Sequence, residues 1–457
     1  MSIKERLRQL LPPTNRNFSN QISQLEEHLT SLQLKLEASE KTNRQEAVSL
    51  YDSLGRMDEK FSEFYKSYNA LDYSSSEYNQ RSYTKRTILL AGWYGADNLG
   101  DELMLQTIIE HLPEDLLPHT AVLLWDWNQY DPLKIDPRIQ ILHYPKNIWQ
   151  IDTLAESFNT IIWGGGAILD DEQFTTDPFN YNTGNLFIRI NRLMIARNKK
   201  VYCLGLSTNF ELINPEYINL LQQIIDDSIV FSIRDSNSIE TLKRSGINTS
   251  RVQLCEDIVF ANTELLHAKT NTRILDRAGL DIFTIGLVVL NSNHMSEYYL
   301  RLINRLSTVL NDKKVDFRIQ LILYSAWDNY FCESIIEHSD FPEKIQVMPY
   351  TESSINSPLN NCDVNICFKY HAALMSSVLG LKTLIVYTES HPHYKNKMEH
   401  VSALFSTSEN LFSDKELESL TDEALYETVM TCKEPKDRED VLLLESKRLS
   451  SILEEIN

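Results

Sequence analysis

The stretch GWYGADNLGDEL, Gly92–Leu103, decides how the chain is read. It follows the apolar run Ile88-Leu89-Leu90-Ala91 and leads into Leu103, Leu105, Ile108, Ile109 and Leu112, apolar positions at helical spacing. Apolar run, polar glycine-rich segment and periodic segment together spell strand, turn and helix. Gly92, Gly95 and Gly100 can take positive φ and let a ligand approach the backbone closely. A helix beginning near Asp101 offers unpaired N–H groups and a positive dipole end to an anion. The spacing fits neither the dinucleotide fingerprint nor the P-loop. Ordinary turn chemistry explains the same residues, with Asn98 or Asp101 capping the helix.

Outward from this unit the pattern repeats. Further apolar runs fall at Ala121–Trp125, Ile139–His143, Thr160–Trp163, Val201–Leu206, Ile229–Ile233 and Val252–Leu254, with helical stretches between most of them. Near-continuous apolar strands alternating with helices predict a parallel, doubly wound sheet. A second set follows at Phe283–Leu290, Phe317–Tyr324, Lys344–Met348, Val364–Cys367 and Thr383–Tyr387. The fold class is therefore α/β, with two Rossmann-like domains in a GT-B-like arrangement. The expected boundaries are residues 86–262 and 281–405, joined through 263–280. Residues 414–457 form a charged helical tail that either returns to the first domain or caps the second.

Residues 1–80 have a different character. Ile22, Leu25, Leu29, Leu32 and Leu36 recur at steps of three and four, a heptad seam. A looser set runs from Val48 to Tyr68, and Tyr73–Tyr83 reads as a linker. This segment is expected to be an α-helical, coiled-coil-like arm that makes a homo-oligomer or packs on its own enzyme domain. Ile3, Leu7, Leu10 and Leu11 with Lys4, Arg6 and Arg8 form a short basic amphipathic turn, the basis for expecting peripheral membrane association.

A length of 457 residues accommodates these domains, and the net charge of −20 argues against a nucleic-acid partner, which needs a basic surface. The six cysteines include no C-x-x-C pair, so neither a zinc site nor a disulfide framework is expected. No signal peptide opens the sequence and no apolar run is long enough to span a membrane. The expected location is the cytoplasm, extending to the inner face of the plasma membrane.

Ligands of such sheets bind outside the carboxyl ends of the strands, and polar clusters stand at those places. Gly164, Gly165 and Gly166 follow one strand and can hold a phosphate or sugar against bare backbone, or simply make a tight turn. Arg234 ends another and can clamp a carboxylate or phosphate, or pair with Asp235 or another neighbour. Lys369, Tyr370 and His371 end a third, with Lys369 suited to an anion and His371 to proton transfer. His391 and His393 lie in the loop after the last strand. Asp170, Asp171 and Glu172 cluster, but a solvated acidic loop explains them better than a metal, so no metal site is assigned.

In order, these motifs resemble the polysaccharide pyruvyl transferases. The carriers are GWYGADNLGDE, WGGGAILDD, Ser232-Ile233-Arg234-Asp235 with a helix to Gly246, Glu256-Asp257-Ile258-Val259-Phe260, and Lys369-Tyr370-His371-Ala372 before Gly380. They cover about residues 86–405. Lys369 departs from the family's usual Arg, keeping the charge without the bidentate fork. The resemblance implies transfer of a pyruvyl group from phosphoenolpyruvate to two hydroxyls of a sugar, free or lipid-linked, as a cyclic ketal. Phosphoenolpyruvate is then a donor substrate and no cofactor is needed. His371 is expected as acid, with Asp101 or Glu102 as base. Arg234, Lys369, Tyr370, Asn98, Gly100, Gly164, Gly165 and Gly166 are expected to bind substrate, the donor on the second domain and the acceptor on the first. The competing readings are a GT-B glycosyltransferase using a nucleotide sugar, and a non-catalytic scaffold.

Overall fold

A computed structural model describes residues 88–96, 98–125, 135–145, 148–171, 174, 183–262, 282–290, 295–325, 327–348, 357–390 and 392–456. The expected coiled-coil arm, basic amphipathic turn, linker and 263–280 connection lie outside these residues, as do Glu172, His391 and the side chain of His393.

The first half contains β1 (Ile88–Ala91), α1 (Leu99–His111), β2 (Thr120–Leu124), β3 (Gln140–His143), α2 (Ile148–Ser157), β4 (Thr160–Gly164), α3 (Thr183–Ala196), β5 (Lys200–Leu206), α4 (Pro215–Asp227), β6 (Val230–Ile233), α5 (Ser236–Arg244) and β7 (Gln253–Leu254). Its seven strands are all parallel, in the order β3-β2-β1-β4-β5-β6-β7. β1 and β4 are buried along their whole length because helices cover both faces. A 3₁₀ turn, Ile258–Ala261, follows β7.

The second half runs through β8 (Phe283–Val288), α6 (Ser296–Asp312), β9 (Phe317–Ile322), α7 (Trp327–His338), β10 (Ile345–Met348), α8 (Ser357–Asn360), β11 (Val364–Cys367), α9 (Tyr370–Val378), β12 (Thr383–Tyr387), α10 (Pro392–Leu404) and β13 (Leu411–Ser413). Its order, β10-β9-β8-β11-β12-β13, repeats that of the first sheet, again all parallel. β13 extends this half past residue 405, where the sequence suggests an end. A three-residue edge strand carries too little periodicity to be read.

In both sheets the chain reverses its order of filling between the first and fourth strands, opening a crevice at their carboxyl ends. Two apolar clusters each belong to one sheet, one around Trp163, Phe187 and Phe231, the other around Tyr299, Phe317 and Phe368. A third joins the halves, taking Ile108 and Tyr202 from the first and Ile322, Leu374 and Met398 from the second. The tail divides its role. α11 (Asp414–Ser419) and α12 (Asp422–Met430) lie beside the second sheet, with α12 against α6. α13 (Glu439–Glu454) returns to the first half, packing on the 3₁₀ turn and α1, where Ser446 Oγ meets His111 Nε2 at 3.1 Å.

Candidate active site

Asn98 is the N-cap of α1: its Oδ1 accepts from Gly100 N at 3.4 Å and its Nδ2 donates to Asp101 Oδ2 at 2.5 Å. The helix therefore starts two residues earlier than the sequence suggests, with Asp101 and Glu102 buried in its first turn. The carboxylates differ in use. Glu102 Oε1 accepts from Gly95 N at 2.8 Å, bracing the loop after β1. Of the three glycines free to take positive φ, Gly95 does so, at 71°. Gly92 instead exchanges hydrogen bonds with the Tyr144 hydroxyl, accepting through its carbonyl at 2.6 Å and donating its N–H at 2.9 Å.

The triple glycine ends β4 beside α1 rather than lying bare. A β-carbon on Gly164 would strike Ile108 and the Tyr94 hydroxyl, and one on Gly165 would strike Met104. Only Gly166, at φ 87°, borders a reactive group: its β-carbon position lies 3.3 Å from Asp101 Oδ1. Asp171 is spent on backbone, accepting from Ile213 N and Asn214 N, both at 2.6 Å. Among the described residues no three His, Cys, Asp or Glu side chains gather as a metal site would require.

Arg234 leaves β6 into the interior, where Nη1 donates to Asp257 Oδ2 at 2.6 Å, with 3% and 0% of the two side chains exposed. Asp235 is not its partner; it caps α5 by accepting from Ser238 N at 2.7 Å. The guanidinium lies over the Tyr370 ring, 4.8 Å from its centroid. His371 completes the group, its Nε2 3.5 Å from both Asp257 Oδ2 and Arg234 Nη1. Neutral Nε2 can accept from Arg234, while a protonated ring faces Asp257.

Lys369 does not share this cluster's anion. Its Nζ pairs with Asp328 Oδ2 of α7 at 2.7 Å, so the lysine expected to bind the donor also has a buried carboxylate beside it. The halves meet at the same place: Leu99 N donates to Tyr324 O at 3.1 Å, and the His371 ring sits against the α-carbon of Gly100.

Burial raises Asp101 to about 6, although His371 and Arg234 pull the other way. Burial would raise Asp257 too, but Arg234 and the hydrogen bond with His371 outweigh it and hold the carboxyl well below the usual range. The two carboxyls of one cluster are thus shifted in opposite directions, Asp257 down by its cationic neighbours and Asp101 up to about 6 by burial.

Sequence reasoning missed Lys397 on α10. Its Nζ donates to Asn209 Oδ1 at 2.7 Å, and burial with the repulsion of Arg234 pushes it down to about 7. His400, one turn later, meets Glu256 Oε2 at 3.0 Å. The available signal was the i, i+3 spacing of Tyr394, Lys397 and His400, which puts them on one helical face. Asp257 appears in the sequence only as part of a motif; its pairing with Arg234 needs the fold.

Solved structures with a similar arrangement include UDP-GlcNAc 2-epimerase from Methanocaldococcus jannaschii, 12% identical over 81% of this chain and 99% of that one, TM-score 0.44. MnaA of S. aureus with UDP is 10% identical over 81% and 97%, TM-score 0.47, and MurG of Acinetobacter baumannii is 9% identical over 81% and 99%, TM-score 0.43. A search of curated proteins finds no significant match. The family model described as polysaccharide pyruvyl transferase matches residues 98–390, well over half of the chain, and takes in Asp101, Arg234, Asp257 and His371. The chain belongs to the polysaccharide pyruvyl transferase family.

Proposed function

We propose that this protein transfers the pyruvyl group of phosphoenolpyruvate to two hydroxyls of a sugar, forming a cyclic ketal. The observation that carries the reading is the buried Arg234–Asp257–His371 cluster beside Asp101, at the facing strand ends of a chain of this family. Asp257 keeps Arg234 and His371 in one place, and Asp101 titrates where a general base for neutral pH should.

In this reaction the first sugar hydroxyl gives its proton to Asp101 as its oxygen bonds to C2 of the donor. His371 delivers a proton to the methylene carbon, which becomes a methyl group. The C2–O bond to phosphate then breaks. The second hydroxyl adds to C2, and its proton leaves with the phosphate released. The proton taken up by Asp101 is then released to solvent and His371 regains one. Of the two hydroxyl protons lost, the net result is one on carbon and one on phosphate, with Asp101 and His371 back in their starting states. Arg234 stabilises the developing negative charge from a site closed to water. No resident cofactor enters the scheme. The acceptor is a free or lipid-linked saccharide, and a lipid-linked one sets the reaction on the inner face of the membrane. No helix among the described residues is long and apolar enough to cross a membrane.

The test is incubation of the full chain with phosphoenolpyruvate and a panel of saccharides, reading phosphate release together with the ketal methyl signal by NMR. Matched phosphate and ketal support the reading. Parallel arms carry UDP- and GDP-sugars; sugar transfer from one of these, with phosphoenolpyruvate untouched, overturns it in favour of a glycosyltransferase. His371→Ala is expected to abolish ketal formation, and near-normal turnover in that variant would remove His371 from the acid role.

A further inference from the structure

The carboxyl ends of the first sheet carry an aromatic row that the transfer chemistry leaves unused. Trp93 lies two residues beyond β1, Trp125 one residue beyond β2 and Tyr144 one residue beyond β3. Because these strands are neighbours in the order β3-β2-β1, the rings line up from the edge of the sheet toward its crevice. Tyr144 is buried and fixed, its hydroxyl bonded to both the N–H and the carbonyl of Gly92. Trp125 stacks on it, with ring centroids 4.3 Å apart and planes 19° from parallel. Trp93 leans on Trp125 in turn, at 5.1 Å and 48°.

Exposure changes along the row. Tyr144 is closed off, whereas Trp93 and Trp125 are half-buried. Core packing accounts for a covered tryptophan, but not for two held side by side with part of their surface in water. The backbone keeps them in place: Trp125 N donates to Tyr94 O at 2.8 Å, and the Tyr94 hydroxyl donates to Gly164 O at 2.8 Å. One polar atom is left over. The indole N–H of Trp125 is buried with no hydrogen-bond partner among the described residues, a costly state that an oxygen brought by a ligand would relieve. The loop that carries Trp93 also leads to the reacting groups, since Gly95 N donates to Glu102, the residue after Asp101.

A pyranose matches this surface. One face of its ring presents C–H bonds, which the electron-rich face of an indole attracts, and its rim presents oxygens that accept hydrogen bonds. An alkyl chain lacks the acceptor, and a phosphate lacks the apolar face. We infer that Trp93 and Trp125 form the platform on which the acceptor saccharide rests one face of a pyranose ring, with the Trp125 indole donating to one of its oxygens. That this sugar is the acceptor rests on the pyruvyl-transfer reading; the saccharide site does not. The two tryptophans bind and orient, and move no proton.

The experiment is saturation-transfer NMR on the full chain with the methyl pyranosides of galactose, glucose, mannose and N-acetylglucosamine, and with UDP in a separate arm. At least one pyranoside is expected to bind, with saturation strongest on the C–H protons of one ring face. Trp93→Ala is expected to weaken that binding about tenfold or more, while Trp93→Phe, which keeps a ring, retains most of it. In turnover with the same saccharide, Trp93→Ala is expected to raise the acceptor KM and leave the phosphoenolpyruvate KM unchanged, a split that general loosening of the fold does not produce. Wild-type affinity in a folded Trp93→Ala overturns the inference; if that variant fails to fold, saturation spread evenly over the sugar in wild type does the same. UDP bound through its base, with no pyranoside bound, overturns it in favour of a nucleotide platform. A pyranoside that binds through Trp93 but receives no pyruvyl group retains the saccharide site and discards the acceptor reading. Wild-type protein that binds no pyranoside overturns the inference.

Discussion

The imidazole of His371 occupies the volume that a β-carbon on Gly100 would need. One residue begins a helix of the first half and the other begins a helix of the second, so the absence of one methyl group lets the two helix starts touch. Gly100→Ala must push the ring aside or part the halves. Overpacking of this kind costs about 1–3 kcal/mol, and turnover is expected to fall by about a hundredfold or more because displacement of a proton-transfer group is felt steeply. Thermal melting and turnover measured together check it; full activity would show that His371 does not act from this position.

Asp257→Asn leaves Arg234 buried without its counter-charge. Breaking a buried pair in this way costs about 3–5 kcal/mol. The pH dependence has a definite sign. The folded carboxyl titrates below the unfolded one, so its stabilisation is complete above about pH 4 and is lost as pH falls further. Wild type should therefore lose stability on acidification below about pH 4 more steeply than Asp257→Asn, as denaturant melts at successive pH values would record.

Asp101 has the opposite sign. Its folded value of about 6 lies above the ordinary 3.8, so the native state holds a proton that the unfolded chain has released, and stability falls as pH rises between those values. Asp101→Asn should remove this fall, about 3 kcal/mol at the upper bound for a shift of that size. The variant should be at least as stable as wild type at pH 7 yet inactive in ketal formation. Loss of stability at neutral pH would mean that the carboxylate is needed for its bond with Asn98 more than for chemistry.

Lys369 and Asp328 are predicted to behave as a structural couple. Lys369→Met strands the fully buried Asp328 and should cost about 3–5 kcal/mol, while Lys369→Met with Asp328→Asn should cost less than the sum of the separate changes. A double-mutant cycle read by urea melts decides this. Additive losses would mean that the pair does not couple in solution.

The parallel sheets were legible because buried strands read as continuous apolar runs and the helices between them keep their own period. Val364–Cys367 and Thr383–Tyr387 can be delimited to the residue from sequence alone. The short edge strand β13 could not be found, since three residues have no pattern. Motifs located the strand ends, but side-chain partners come from elements far apart in sequence. Nothing near Lys369 indicates that Asp328 is its partner, and nothing near Arg234 selects Asp257 over the adjacent Asp235. Lys397 escaped notice because its neighbours in sequence, Lys395 and Glu399, give it the look of one more solvated helix position.

The return of α13 to the first half sets an order on synthesis. Val259, Phe260 and Ala261 in the 3₁₀ turn are covered by a helix carrying Val441, Leu442, Leu449 and Leu453. Those residues leave the ribosome some 180 positions later. All the strands of the first sheet therefore emerge long before the helix that seals this surface, and the nascent first half must wait with apolar side chains open to water. Meanwhile Asp257, which caps that turn, lacks its final setting. A chain interrupted before residue 439 would hold every group of the Arg234–Asp257–His371 cluster and still expose the apolar floor beneath it, a state that invites aggregation or chaperone capture.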